Sequence, residues 1–468
     1  MSNLLDKIIV VLFLAVLVFT ALAHGAVESW SLALGSAGIV AVLFLWILKA
    51  CVEQQWTIRV PSLLWPLLAF IALGLMQSIA WTEQSGRRAS LSLDVEASRE
   101  AVLWLVLLVL AFVLAANLFA SKERLSLLRS FSIYFGLALA LFALLQKATW
   151  NGRFYWWRTV DTQIVIAPFG PFVHHGHYAG YLELLLPIPL AFLIAHQMRF
   201  EKKLLYGFAA TIMGLSIVAS LARGGMLSLT VELVFLAVMS IWIKRKQGAE
   251  AGEKATLFQS LFIRAGAVII IAVMMFIGVL WIGIEPIMNR VTLGQGNEST
   301  QTFFNDRGWV WRDTLSMVRA HPVTGVGLGA FETAFPIYSQ SDGSLTVSAA
   351  HNDYLQILAE GGIIGGALML WFIMMIFRLL HKALQSHDTR RQALALGSGT
   401  GLLGILVHSF FDFNLQLPSH ALLFLTLVAV VATLGAWVVE GEAAMAAKTQ
   451  PQPNYFDLTE RLSERGTL

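Results

Sequence analysis

The chain has 468 residues, of which 57% are hydrophobic and only 13% charged, and its mean hydropathy is +0.70. Soluble domains carry about a quarter charged residues, so an ordinary soluble protein is excluded. A net charge of +3, with no Lys/Arg block longer than three residues, also excludes a disordered polyelectrolyte and a nucleic-acid binder. Cys51 is the single cysteine, so no internal disulfide holds the fold. What remains is an all-α polytopic membrane protein.

In chain order, twelve apolar runs approach the roughly 17–25 residues that a membrane helix needs. They are 8–23, 30–48, 63–80, 101–119, 127–146, 178–196, 204–221, 225–243, 265–284, 362–380, 393–411 and 418–438. The first ends in Ala21-Leu22-Ala23, the small-residue form of a signal-peptide cleavage site. A second apolar run so soon afterwards favours an uncleaved helix. With the N-terminus inside, 21 of the 32 Lys and Arg residues fall in cytoplasmic segments, which places both termini in the cytoplasm. The other eleven face outward, and all but Lys147 are arginine. Topology needs only positive charge. The bias therefore points to bidentate recognition of phosphate or carboxylate, or to compositional accident.

Three outer segments, 81–100, 147–177 and 285–361, are too long for turns. In the last, Asn305 or Asp306 is expected to cap a short helix that His321-Pro322 closes. Arg307, Trp311, Leu315 and Val318 would share one face, and Arg312 and Arg319 another. The segment is expected to fold as a lid or platform. The organisation predicted is N-terminal helices 1–5 with their outer loop over 1–170, a transmembrane core over 171–440 that includes the 285–361 loop, and a polar, flexible tail over 441–468.

Several residues in these outer segments can carry chemistry. Ser348 is a candidate N-cap, with His351 in the first helical turn, Tyr354, Leu355 and Leu358 on its face, and Gly361-Gly362 as a break. The helix dipole there favours a neutral imidazole, which suits a general base; a structural or capping histidine is the alternative. Arg223 sits in Ser220-Leu-Ala-Arg223-Gly224-Gly225, almost without a loop between two apolar runs. An arginine that close to hydrocarbon is expensive without a partner, and the glycines let backbone N–H groups approach an anion. His174, His175 and His177 open the sixth run beside Tyr155, Trp156 and Trp157. They suit an acceptor groove better than a metal site, because adjacent side chains rarely converge on one ion; the aromatics suit an interfacial belt equally well. Asp94-Val95-Glu96 is a weak candidate for a divalent cation. Asp412 is placed to orient His351 or to pair with Arg223. Gly325-Val-Gly327-Leu-Gly329 lacks the strand–turn–helix setting of a dinucleotide site.

Ser220-Leu-Ala-Arg223-Gly-Gly, then Arg307-Gly-Trp-Val-Trp311 running on to His321-Pro322-Val-Thr-Gly325-Val-Gly327, then His351-Asn352-Asp353-Tyr354-Leu355 with Glu360-Gly361, resemble the O-antigen ligase and polymerase family in order and spacing. The resemblance covers about 170–420, whereas the first five helices match only in hydropathy. It implies a GT-C-like integral glycosyltransferase of the bacterial inner membrane, active on the periplasmic face without a metal ion or other cofactor. Such enzymes pass a glycan from undecaprenyl diphosphate to a hydroxyl acceptor, which is the lipid A–core sugar in ligases and a lipid-linked repeat unit in polymerases. By position it implies His351 as the catalytic histidine and Arg223 and Arg307 as the diphosphate-binding arginines. Asp412 is a weaker match, and Arg312, Asn352 and Tyr354 are further candidates for support. Relatives usually show asparagine where His174 stands, a departure that bears on the acceptor.

The chemistry is consistent with this. A departing diphosphate needs fixed cationic donors, each typically contributing about 10²–10³ in rate. The acceptor hydroxyl needs a base, typically contributing about 10²–10⁴. A transporter of lipid-linked saccharide would also use arginines, but predicts inverted repeats and charges at the midplane. A structural subunit gives no role to Arg223 or His351. The expected partners are the lipid-linked glycan donor, a glycan or lipid A–core acceptor and membrane lipid, with no nucleic acid. Between ligase and polymerase, the motif set favours the ligase type.

Overall fold

The computed structural model describes residues 2–54, 58–82, 88–159, 168–251, 301–341 and 346–449. Among these, nine helices are long and apolar enough to cross a membrane. α1 (Ser2–Leu22), α2 (Ser29–Glu53), α4 (Val95–Leu118), α5 (Lys122–Ala148), α8 (Phe200–Ala219) and α9 (Arg223–Ala251) fall on predicted runs. So do α12 (Asp353–Ala383) and α14 (Pro418–Thr449). The sixth run is one span in two helices, α6 (His175–Leu185) and α7 (Pro187–Ala195). Pro187 and Pro189 remove two backbone donors there, so the ladder is interrupted at Leu186.

Two expectations on spans change. The run over 63–80 forms only α3 (Leu64–Gln77), 14 residues and short for a crossing. The run over 393–411 forms α13 (Thr389–His408), which is buried but too polar to stand among the nine. Gln392, Ser398, Thr400 and His408 lie along it, shielded by neighbouring helices. Its glycines let those helices come close: a Cβ on Gly397 would stand 2.7 Å from Ile188 Cα. The run over 265–284 lies outside the described residues. α14 continues to Thr449, past the expected boundary at 440.

Polar pairs mark the two ends of the bundle. At the end where α1 starts, Asp6 pairs with Lys49 at 2.5 Å and with Arg124 at 2.6 Å. At the other end Glu28 pairs with Arg158 at 2.5 Å, and His24 Nδ1 lies 2.7 Å from the carbonyl of Pro171. This second end also carries a two-stranded antiparallel ribbon, β1 (Ala80–Thr82) with β2 (Arg88–Ser90).

The described part of the 285–361 segment folds into a platform with its own small core. α10 (Gln301–Ala320) and α11 (Phe331–Tyr338) bury Val310, Met317, Phe331, Ala334 and Phe335 together. α10 ends just before His321-Pro322, but it is already helical at Gln301, so neither Asn305 nor Asp306 is its cap. The buried stripe is Val310, Asp313, Thr314 and Met317, one residue round from the expected face, and Leu315 is exposed.

Backbone contacts fasten this platform to α12. The N–H groups of Val326 and Gly327 donate to the carbonyls of Ala359 and Glu360 at 2.9 and 3.0 Å. Ile363 N–H donates to Pro322 O at 2.9 Å. Gly362 has φ +60, which breaks α12 where the sequence suggested. The buried Gln77 at the end of α3 completes the clasp, donating to Thr324 O and Glu360 O and accepting from Leu328 N–H. Glu360 accepts from Gly329 N–H and from the Gln356 side chain, each at 3.0 Å. The Gly325-Gly327-Gly329 segment is thus a tight, positive-φ turn against α12.

Candidate functional site

His351 precedes the helix rather than sitting in its first turn. Asn352, not Ser348, is the N-cap, its side chain accepting from Leu355 N–H at 3.0 Å. The dipole argument for the imidazole therefore applies only from just beyond the helix end. His351 has φ +49, a strained value for a residue with a Cβ, and such strain gathers at functional positions. It is held there by Asp353, whose N–H donates to Ser409 O at 2.9 Å. The Asp353 carboxylate accepts from Ser409 Oγ at 2.7 Å and from Gln416 at 3.1 Å. The start of α12 is thereby tied to the turn that carries Asp412.

Asp412 is the hub. It is 3% exposed, and three imidazoles surround it: His351 Nδ1 at 3.6 Å, His177 Nε2 at 3.9 Å and His174 Nδ1 at 4.0 Å. Burial alone would raise the Asp412 carboxyl, but His351, His177 and His174 hold it well below the usual carboxylate range. For His174 the balance goes the other way. Burial lowers its pKa more than the attraction of Asp412 raises it. His174 is also the N-cap of α6, accepting from Gly176 N–H at 3.2 Å.

Beside Asp412, a cavity of about 140 Å³ brings together Arg223, Gly224, His175, Arg307 and His408. Arg223 opens α9 immediately after the three-residue turn from α8, where Leu221 has φ +59. The first N–H groups of a helix lack partners within it, so this wall of the cavity favours an anion. Arg307 donates to the carbonyl of Phe411, next to Asp412 in sequence. Burial lowers its pKa and Asp412 opposes the shift; a guanidinium stays charged regardless.

Three further residues at the site carry no motif in the sequence. His408, at the end of α13, has its Nδ1 at 3.0 and 3.2 Å from the two oxygens of Glu183 on α6. Both are almost fully buried, and the His408 ring reaches the arginine cavity. A Cβ on Gly224 would stand 2.5 Å from His408 Nε2, so only glycine lets α9 pass there. Glu232, also buried, lies deeper along α9 against Gly404 of α13. Carboxylates inside apolar spans are expensive and mark function by default. That signal was present at Glu183 and Glu232, but the partner of Glu183 was 225 residues away in the sequence.

Not every sequence candidate joins the site. Arg312 is 61% exposed and bonded to Asp313 at 3.2 Å, and it does not line the cavity. Tyr354 packs its ring 4.2 Å from Phe410 and donates to Leu406 O. Asn352 is a cap. Asp94 is also a cap, accepting from Ala97 N–H at 3.0 Å and from Thr333 Oγ at 2.8 Å. Those bonds, led by that from Ala97, depress its carboxyl and explain the Asp94-Val95-Glu96 cluster without a cation. His174, His177 and Asp412, by contrast, bring potential ligand atoms within 4.8 Å of one another. Two imidazoles and one carboxylate are a set that can hold a divalent ion. Spacing in the sequence had not shown the third member.

The fold and site define a multi-pass helical membrane protein with a cationic, histidine-rich centre at one end of the bundle. Residues 208–370, from within α8 through α9 and the platform to the first part of α12, match the O-antigen ligase family model. No curated protein matches the chain. The family supports a glycosyltransferase-like activity in polysaccharide biosynthesis, acting on lipid-linked glycans in a membrane.

Proposed function

We propose that the protein transfers a glycan from undecaprenyl diphosphate to a hydroxyl acceptor at the periplasmic face of the bacterial inner membrane, in the manner of an O-antigen ligase. The observation that carries this reading is the meeting of two cationic side chains, Arg223 and Arg307, in one cavity that Asp412 also lines, with His351 Nδ1 3.6 Å from the Asp412 carboxylate. In the proposed step, His351 takes the acceptor proton on Nε2 while Asp412 fixes the ring through Nδ1. The acceptor oxygen forms a bond to the anomeric carbon as the sugar–phosphate bond breaks. Charge developing on the departing diphosphate falls on Arg223, Arg307 and the start of α9. Glu183 holds His408 at the same cavity as a further positioning group. The groove beside His174, His175 and His177 receives the acceptor.

The full topology proposed has twelve crossings, counting the short α3, the enclosed α13 and the run over 265–284 beside the nine, in a GT-C-like arrangement with both termini cytoplasmic. The basic residues gathered at the far end of the bundle support that orientation. Transfer is proposed to need no metal, because the cavity proposed to take the diphosphate is lined by two guanidiniums. The test supplies purified protein with a lipid-diphosphate oligosaccharide, EDTA and acceptors one at a time. Wild type should transfer, whereas His351→Ala and Arg223→Ala should lose about 10²-fold or more. A lipid A–core acceptor marks a ligase and a second lipid-linked unit a polymerase. Activity abolished by EDTA and restored by a divalent ion would move His174, His177 and Asp412 into a metal site. Absence of transfer to any acceptor, with movement of the lipid across a liposome bilayer, would replace the reading with transport.

A further inference from the structure

A second cavity lies at the opposite end of the bundle from His351. It has a volume of about 940 Å³ and is enclosed by α5, the end of α7, the start of α8 and the start of α13. Six cationic side chains line it: Lys122, Arg129, Arg199, Lys202, Arg390 and Arg391. Asp388 is the one carboxylate among its lining residues, and it is already committed. It caps α13, accepting from the N–H groups of Arg390 and Arg391 at 2.9 and 3.4 Å, and it lies 3.5 Å from the Arg391 guanidinium.

Three helix N-termini, those of α5, α8 and α13, reach the same cavity and add their positive ends to the six charges. Two of the arginines are fixed. Arg129 lies 5.2 Å over the Phe192 ring and donates to Ser126 at 2.8 Å; Arg391 lies 4.4 Å over Trp437. His196, on the rim with its Nδ1 2.9 Å from Thr389 Oγ, reports the field. Burial and then the charges of Arg390 and Arg129 push its pKa down.

Positive charge near the membrane is expected from topology alone. Topology, however, requires neither convergence from three helices nor a cavity, nor guanidiniums held over aromatic rings. We infer that this cavity is a binding site for a phosphoryl-bearing anion, presented either as a phospholipid headgroup or as a soluble phosphate compound. Its volume falls in the range of about 300–1,000 Å³ usual for small-ligand sites. Basic pockets between membrane helices suit anionic headgroups, and arginine forks suit phosphate oxygens bidentately. The inference does not rest on the proposed transferase activity, and its test reads binding instead of transfer.

The full-length protein is placed in phosphatidylcholine nanodiscs, and its thermal unfolding is followed as pyrophosphate is added. A second arm replaces part of the lipid with phosphatidylglycerol. At least one probe should raise the melting temperature of wild type, with an effect that weakens as salt screens it. Arg390→Gln/Arg391→Gln should weaken that probe about tenfold or more, a loss of about 1.4 kcal/mol. Lys203→Gln, outside the lining, should bind as wild type does. If the double variant fails to fold, Lys122→Gln/Lys202→Gln at the rim takes its place. A response to phosphatidylglycerol alone identifies a headgroup, and a response to pyrophosphate a soluble ligand. Wild type unmoved by both probes, or cavity variants that bind both as wild type does, would overturn the inference.

Discussion

The two halves of the site are held in different ways. His351, Arg307 and Asp412 stand on turns and on the platform, fixed by polar clasps through Asp353, Gln77 and Glu360. His408 and Glu183 stand on helices of the bundle, fixed by glycines that let those helices nearly touch. A clasp built from hydrogen bonds is local and demands particular residues at particular spacings. A helix contact demands only small residues, which membrane spans contain in any case. The first half is therefore written as motifs, and the second is not.

The comparison can be broken most forcefully on α10. Arg307 reaches the cavity, while Arg312, five residues on, is exposed and bonded to Asp313. Arg307→Ala should cost about 10²–10³ in transfer rate, as expected for loss of a charge-stabilising donor. Arg312→Ala should cost less than about 1 kcal/mol of stability, in line with an exposed pair, and change the rate little. Transfer rates for the two purified variants decide it. Equal losses would mean that the platform acts as a unit and that cavity geometry does not sort its arginines.

The core-borne half is sharpened by Glu183→Gln. The amide keeps the shape beside His408 but not the charge that orients the ring. By analogy with carboxylates that orient ligating histidines, whose loss costs about 10–100-fold, transfer should fall by a similar factor. The loss should appear in kcat, with binding of the lipid donor little changed. A variant with wild-type kcat would reduce Glu183–His408 to packing.

Much of the loop-borne half was legible. Arg223, Arg307 and His351 stood out because an arginine or histidine at a helix start, beside glycines, has few structural uses. The break at Gly361-Gly362 and the end of α10 before Pro322 followed from backbone rules. The start of α12 did not, because Ser348 and Asn352 are both good caps and the apolar period begins equally well after either. Asp412 was legible as a partner for His351 but not for His174 and His177, since those two reach it from another helix. Glu183 and His408 were invisible as a pair for the same reason: an ion pair across the bundle leaves no spacing to read. α13 shows the converse. Its run of residues was found, yet its polar content is tolerated only because α6, α7 and α9 enclose it.

The smallest effect is expected at the clasp, and it separates positioning from chemistry. Gly362 has φ +60 and ψ −158, a combination that residues with a Cβ rarely hold. An added Cβ would stand 2.3 Å from Val323 O and 2.4 Å from Val323 C, both backbone atoms that cannot rotate aside. Gly362→Ala should therefore destabilise by about 1–3 kcal/mol. The damage should be local. Hydrogen exchange should quicken at the N–H groups of Val326, Gly327 and Ile363, which bridge the platform to α12, while α6 and α14 keep their protection. Because Glu360 and Asp353 lie on the first part of α12, loosening at Gly362 should also let His351 drift from Asp412. Transfer should then fall more than stability does, and it should recover partly at lower temperature. If exchange at those three amides is unchanged, Gly362 is only a kink in a membrane helix, and the polar clasp does not hold the catalytic half in place.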